Sequence, residues 1–370
     1  MQARDPHSRR WTRRFVLHGL AGLTLPAYPQ NRASFPSDIF RYTDPATEAS
    51  VVRLTSPQYS SALPPYSSDA AGRSGASLIY SSDRSGAWQV YRMDLKTGQS
   101  RQLTQAAALD PASVCQLRDE RSICYFDGPS LRQTTLSSLR TRELYAVPEG
   151  WSRGRGLCLS GDRIQATFVE ARERLWRLRI LGLAKGDAAT AAEAPEIISD
   201  PIPRPGRAGI LYRRGQDSLW LVGYDGRDNR RLKTAEGGLG PADWSPDGRS
   251  VLYLLFPREA EKLNEIREHV PDSNSDQLVS TTSQFVCFSH NHDASVFAGA
   301  SASKAAPYIL ILLRMTHREL ALCEHRASEP ASVAPLFSAD SQTVYFQSDR
   351  HGKPAIYSIR VDRLVEKTQT

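Results

Sequence analysis

The stretch Ser82-Asp83-Arg84-Ser85-Gly86, followed at Val90-Tyr91 by a strand, returns near the end of the chain as Ser348-Asp349-Arg350-His351-Gly352, followed by Ile356-Tyr357. An apolar run precedes each copy, Leu78 to Tyr80 and Val344 to Phe346. The two aspartates stand 266 residues apart, six steps of about 44 residues, which is the period of propeller blades. That repeat outweighs the two- or three-domain division that 370 residues would otherwise suggest.

A second marker keeps the same period. Trp244-Ser245-Pro246-Asp247-Gly248, His292-Asp293-Ala294-Ser295 and Ser338-Ala339-Asp340-Ser341 each precede an apolar strand, with their aspartates 46 and 47 residues apart. Asp-Gly and Ser-Asp pairs between apolar runs are hairpin chemistry, because these residues tolerate positive φ. Outer strands follow a third pattern: Asp94-x-x-Thr97-Gly98 leads to Arg101 to Thr104, Asp225-Gly226 to Arg230 to Leu232, and Asp44-x-x-Thr47 to Val52 to Thr55. The last of these has no inner strands before it, and the C-terminal unit has little after its own. The spacing therefore predicts an all-β fold, a seven-bladed β-propeller over residues 40–365, closed by an N-terminal strand in the last blade. The blades are predicted at 72–104, 110–146, 155–182, 207–233, 241–280, 287–324, and 334–361 with 50–55. The alanine-rich stretch 184–194 reads as a surface loop, and 258–269 as the single short helix. A double-sheet sandwich is the alternative, and the period of forty-odd residues disfavours it.

Composition adds limits. Apolar content of 40% and charged content of 24% suit a soluble globular chain. Tyr308 to Leu313 is a six-residue apolar run, the length of a strand and not of a membrane span, so no span is expected in the mature chain. The net charge is +7, but Arg4, Arg9, Arg10, Arg13 and Arg14 against Asp5 carry +4 of it, leaving +3. That balance argues against a nucleic-acid partner. Thr12-Arg13-Arg14-Phe15-Val16-Leu17 resembles a twin-arginine pattern, and an apolar region follows from Phe15 to Leu25. Residues 1–30 are therefore read as an export signal, with a periplasmic or secreted mature protein. Five cysteines without a Cys-x-x-Cys indicate neither a zinc site nor a disulfide framework. Cys115 and Cys124 fall on adjacent strands, and buried free thiols are expected.

Several segments, in order along the chain, resemble the oligogalacturonate lyase family. They are Asp44 to Thr55, the Asp83 blade, Glu143 to Trp151 with its Val-Pro-Glu-Gly-Trp, Trp220 to Gly226, and Phe346 to Tyr357. The resemblance implies β-elimination on pectin-derived oligouronides. It further implies a manganese ion held by three histidines and a glutamine, which binds the substrate carboxylate and acidifies the adjacent proton, with a further histidine as base. A carbon acid next to a carboxylate needs both parts.

At the matching positions this chain departs from that pattern. The base position is Pro241, within Gly240 to Trp244. The Gln-x-x-His-x-His ligand run reads Glu329-x-x-Ser332-x-Ala334, the third histidine falls near Cys287, and an arginine before the Trp-Leu-Val strand matches Ser218. Serine is a poor manganese ligand and alanine is none. The manganese therefore reads as lost. Two replacements stay open. His290 and His292, at i and i+2 on one strand face, form an alternative metal site with Glu329 or His325, unless they are surface polar residues beside a turn. Asp243 is a substitute base, unless it only satisfies strand-end amides. Hydrolase and nucleotide motifs are absent. Two functions follow: an altered or degenerate lyase for oligouronides, or a non-catalytic propeller binding a carbohydrate or a protein partner.

Overall fold

The computed structural model describes residues 33–65, 75–117, 120–259 and 261–365. The expected export signal lies outside them. The described chain forms seven antiparallel sheets, five of four strands and two of five, the blades of a propeller. From blade one to blade seven the innermost strands are Ser61–Ala62, Cys115–Gln116, Ser152–Leu159, Ile198–Pro203, Gly238–Trp244, Phe285–His290 and Leu336–Phe337.

The ring closes as the spacing predicts. Ser50–Arg53 pairs antiparallel with Ala355–Arg360 in blade seven, Val52 opposite Ser358, and Phe40–Thr43 adds a fifth strand outside it. Val51 is fully buried in one cluster with Val344 and Ile359 of blade seven and Ile311 and Cys323 of blade six. Burial of one such valine contributes about 1.5–3 kcal/mol, and the pairing removes a free sheet edge.

The repeated turn has a chemical cause. In blades three, five, six and seven the innermost strand leaves through Ser160-x-Asp162, Ser245-x-Asp247, Asn291-x-Asp293 and Ser338-x-Asp340. Ser245 Oγ donates to Asp247 Oδ1 at 2.7 Å, and the Arg249 N–H donates to the same oxygen at 3.0 Å. Ser338, Asp340 and Gln342 repeat this at 2.7 and 3.1 Å. The Arg249 N–H, chiefly, holds the Asp247 carboxyl below its usual range. In blade four a buried arginine takes the serine's place. Arg204 Nε donates to Gly248 O at 2.6 Å, its guanidinium pairs with Asp272 at 3.1 Å, and it lies 4.9 Å from the Trp244 ring centre.

Three expectations change. The helix at 258–269 is instead the strand Asn264–Val270. Arg267 pairs with Glu265 of the same strand at 2.7 Å and with Asp276 of the next strand at 2.8 Å, while Ile266 is buried on the other face. The loop at 184–194 contains the outer strand Ala188–Ala194, paired with Leu175–Gly182. Ala191, Ala192 and Ala194 pack against Ile198 and Val222 of blade four, so tertiary burial overrides alanine's poor strand preference. Blades one, three, five, six and four begin earlier than expected, at Ser61, Ser152, Gly238, Phe285 and Ile198. Pro201 and Pro203 mask the last of these, because proline argues against a strand unless it lies at an edge or bulge.

Candidate functional site

The innermost strands of blades three to six each break register once. The shifts fall between Arg153 and Leu157, Ser199 and Ile202, Leu239 and Ala242, and Phe285 and Cys287. A bulge bends its strand and re-aims a side chain. Four neighbouring bulges at similar depth make this the place where the channel wall presents side chains.

Pro241 occupies one of them and is exposed. Cys287 follows another. It is buried, its thiol donates to Pro330 O at 3.6 Å, and burial raises its pKa to about 11. The fold thus brings Cys287 against the 329–334 segment, as the resemblance implies. Within that segment Glu329 caps the 3-10 turn Pro330–Val333, accepting from the Ala331 N–H at 3.3 Å. Ser332 Oγ donates to Glu329 O at 2.7 Å, and Ser332 O accepts from Gln347 Nε2 at 3.1 Å. Ala334 sits in the left-handed region at φ 45°. The donor set is a capping carboxylate, a hydroxyl already donating to a carbonyl and a soft thiol kept protonated. It does not fit manganese, which takes oxygen and nitrogen ligands. Among the described residues no three His, Cys, Asp or Glu side chains converge to hold a metal.

The replacement residues lie elsewhere. Asp243, His290 and His292 line a cavity of about 280 Å³ where the innermost strands of blades three to seven end, with Trp244, Phe337 and Ser338. Glu329 is not part of that lining, so the three suggested ligands do not meet there. The strand stops at His290, and His292 lies in the turn beyond it, so the two do not share a strand face. The His290 ring is seated between Asn291 O at 2.8 Å and Trp244 O at 3.1 Å, with the Asp243 carboxylate 3.9 Å away. Asp243 Oδ1 accepts from the Trp244 N–H at 2.7 Å, the amide-satisfying role. Ser218 Oγ accepts from Trp220 Nε1 at 3.0 Å.

Sequence reasoning missed a different group. Between Gly154 and Gly156, the bulge of blade three carries Arg155, whose side chain is 84% exposed. Its Nε lies 3.2 Å from Asp200 Oδ1, on the bulge of blade four. Arg213 Nε lies 3.9 Å from the other Asp200 oxygen. Arg213 also donates to Leu239 O at 3.2 Å and Gly240 O at 2.5 Å, the residues just before Pro241. Burial, chiefly, lowers the Arg213 pKa; the Asp200 and Asp217 charges oppose it and the Arg155 charge adds to it. Gly156 has φ 101°, and a Cβ there would meet Pro201 Cδ at 2.6 Å. That glycine lets the two bulges approach. The signal was the run Ser152-Arg-Gly-Arg-Gly156, in which paired glycines mark close backbone approach within a strand.

His325 anchors the 325–334 segment from below. It is buried, its Nε2 faces Ser301 O at 3.0 Å and its Nδ1 accepts from the Ala327 N–H at 3.0 Å. Burial pushes its pKa below 6.5. The unfolded chain then binds more protons on the acid side, so this contribution is complete above 6.5 and is lost as pH falls through the lower folded value. Urea unfolding on either side of that pH should show an acid-side slope that flattens in His325→Asn. The His351 share remains, because burial lowers its pKa as well. An unchanged slope would remove His325 from the account.

The seven sheets and the channel they enclose define the class as a seven-bladed propeller. The family model for oligogalacturonate lyase matches residues 32–178, a span that ends before Pro241, Cys287 and the 329–334 segment. The chain is 22% identical over 376 residues to the oligogalacturonide lyase of Pectobacterium atrosepticum, covering 88% of this chain and 97% of the relative. It is 21% identical over 370 residues to the oligogalacturonate lyase of Dickeya dadantii, covering 86% and 95%. Among solved structures, an oligogalacturonate lyase in complex with manganese superposes with a TM-score of 0.85 at 21% identity, covering 90% of this chain and 98% of the other. The oligogalacturonate lyase of Vibrio parahaemolyticus gives 0.84 with the same coverage. The chain is thus similar to oligogalacturonate lyases along most of its length and shares the fold of the solved ones.

Proposed function

We propose that this chain binds pectin-derived oligouronides in its channel without manganese and does not carry out the metal-dependent elimination that the resemblance implies. The observation behind this reading is the donor set at the matching positions. Pro241 has no acid–base chemistry, Ser332 and Glu329 are engaged within their own turn, and Cys287 is a protonated thiol. Binding is supported by the names of the relatives and by Arg155 and Asp200 at the channel wall. Arginine suits carboxylates through charge and directed N–H donors.

The test is calorimetric titration with trigalacturonate and with neutral galactotriose in the presence of a chelator. Saturable binding of the acid alone is expected. No binding of either, or equal binding of both, would sink the reading.

Export to the periplasm is part of the same proposal and rests on the Thr12 to Leu17 pattern. Replacing Arg13 and Arg14 by lysine should retain a reporter fusion in the cytoplasm. Unaffected export would show that the arginine pair plays no part.

A further inference from the structure

We infer that Arg155 is the receptor for one uronate carboxylate, and that Asp200 is a built-in counter-ion which the ligand displaces from it. The inference rests on the reading of the channel as an oligouronide site and names the residue and mode by which it binds. Three features of the geometry carry it. The side chain is held at the channel wall by a bulge, between two glycines at positions where the neighbouring strands leave no room for a Cβ. It is 84% exposed, and its ion pair is with Asp200 through Nε at 3.2 Å, which leaves the two terminal nitrogens to meet a ligand. Arg213, by contrast, spends its terminal nitrogens on the carbonyls of Gln216, Leu239 and Gly240. It is a support that fixes Asp200 and the wall near Pro241.

Arg213 feels Asp217 as well as Asp200, so it keeps a carboxylate partner when Asp200 gives way, and Arg155 is the cation free to exchange. A ligand carboxylate that takes the place of Asp200 on Arg155 is bound through paired N–H donors. Asp200 sets the strength of that exchange. While it faces Arg155 it competes with the ligand. A neutral side chain in its place frees the receptor. Asparagine is suited to the position, because Asp200 has φ 51° and asparagine tolerates the left-handed region.

The experiment is titration of the full chain with trigalacturonate and galactotriose under chelation, for wild type, Arg155→Gln, Asp200→Asn and Arg174→Gln, an exposed arginine on the outer turn of the same blade. Arg155→Gln should weaken trigalacturonate about tenfold and Asp200→Asn should tighten it severalfold, while Arg174→Gln changes nothing. The opposite effects of two exposed-site variants separate a charge role from misfolding, and circular dichroism checks the fold of each. If wild type binds and Arg155→Gln binds equally well, the inference fails and the oligouronide reading stands. If Asp200→Asn weakens binding, Asp200 is a ligand contact and the counter-ion role is wrong. If wild type does not bind trigalacturonate, the reading beneath the inference fails with it.

Discussion

Incubated with trigalacturonate and excess manganese, this chain is expected to release unsaturated uronide at least about a thousandfold more slowly than a manganese-dependent oligogalacturonate lyase. A positioned general base alone contributes roughly 10²- to 10⁴-fold, and Lewis-acid charge stabilisation comes on top of it. Pro241 supplies no proton acceptor, and proline at a bulge cannot be rescued by a small shift. The proton next to a uronate carboxylate is too weakly acidic to leave without help. Appearance of the conjugated product, followed by its ultraviolet absorbance, measures the rate. Rates near those of a relative would show that the cavity with Asp243 and His290 has taken over the chemistry. Restoring Pro241→His, Ser332→His, Ala334→His and Glu329→Gln together is expected to return weak manganese binding before it returns turnover, because the base must also be placed on a changed backbone.

The second large effect concerns closure. Val51→Asp should lower the unfolding free energy by at least about 4 kcal/mol, since it buries an unpaired carboxylate between blades six and seven. Ser50→Asp, one residue earlier on the same strand and exposed, should stay within about 0.5 kcal/mol of wild type. Urea unfolding of the three proteins measures both. A small loss for Val51→Asp would mean that the outer strand of blade seven detaches without opening the ring.

How much of this was legible in the sequence depends on where the information sits. The Asp83 and Asp349 copies could be read because they repeat, although their carboxylates accept from the distant Ser60 and Ser328, and the Ser245-x-Asp247 turns because their hydrogen bonds are local. Each turn is satisfied by residues two to five positions away. Closure by 50–55 was legible because the two half-blades complement each other. The outer strand Ala188–Ala194 was not, because its stability comes from packing on blade four and not from its own composition. The strand Asn264–Val270 was misread because Arg267 finds Asp276 across a hairpin, and a charged run carries no sign of that partner.

The site divides in the same way. Proximity of Cys287 to the 329–334 segment was implied only by the family resemblance, and the structure places Cys287 Sγ on Pro330 O. Arg155 and Asp200 were invisible. Gly154, Gly156 and Pro201 look like strand breakers when read along the chain, and only the pairing of blades three and four turns them into bulges that face each other. The separation of Glu329 from His290 and His292 was equally hidden. The cavity gathers strand ends, while Glu329 caps a turn before its strand begins.

We propose that the positions matching the family's ligands do not hold manganese in this chain. The most direct test is the thermal unfolding midpoint of the chelated protein as manganese is added, because a ligand stabilises the folded state only in proportion to its binding there. The account predicts a midpoint that does not move with manganese concentration, with or without trigalacturonate. A midpoint that climbs steadily with added manganese and then follows the logarithm of its concentration would contradict it.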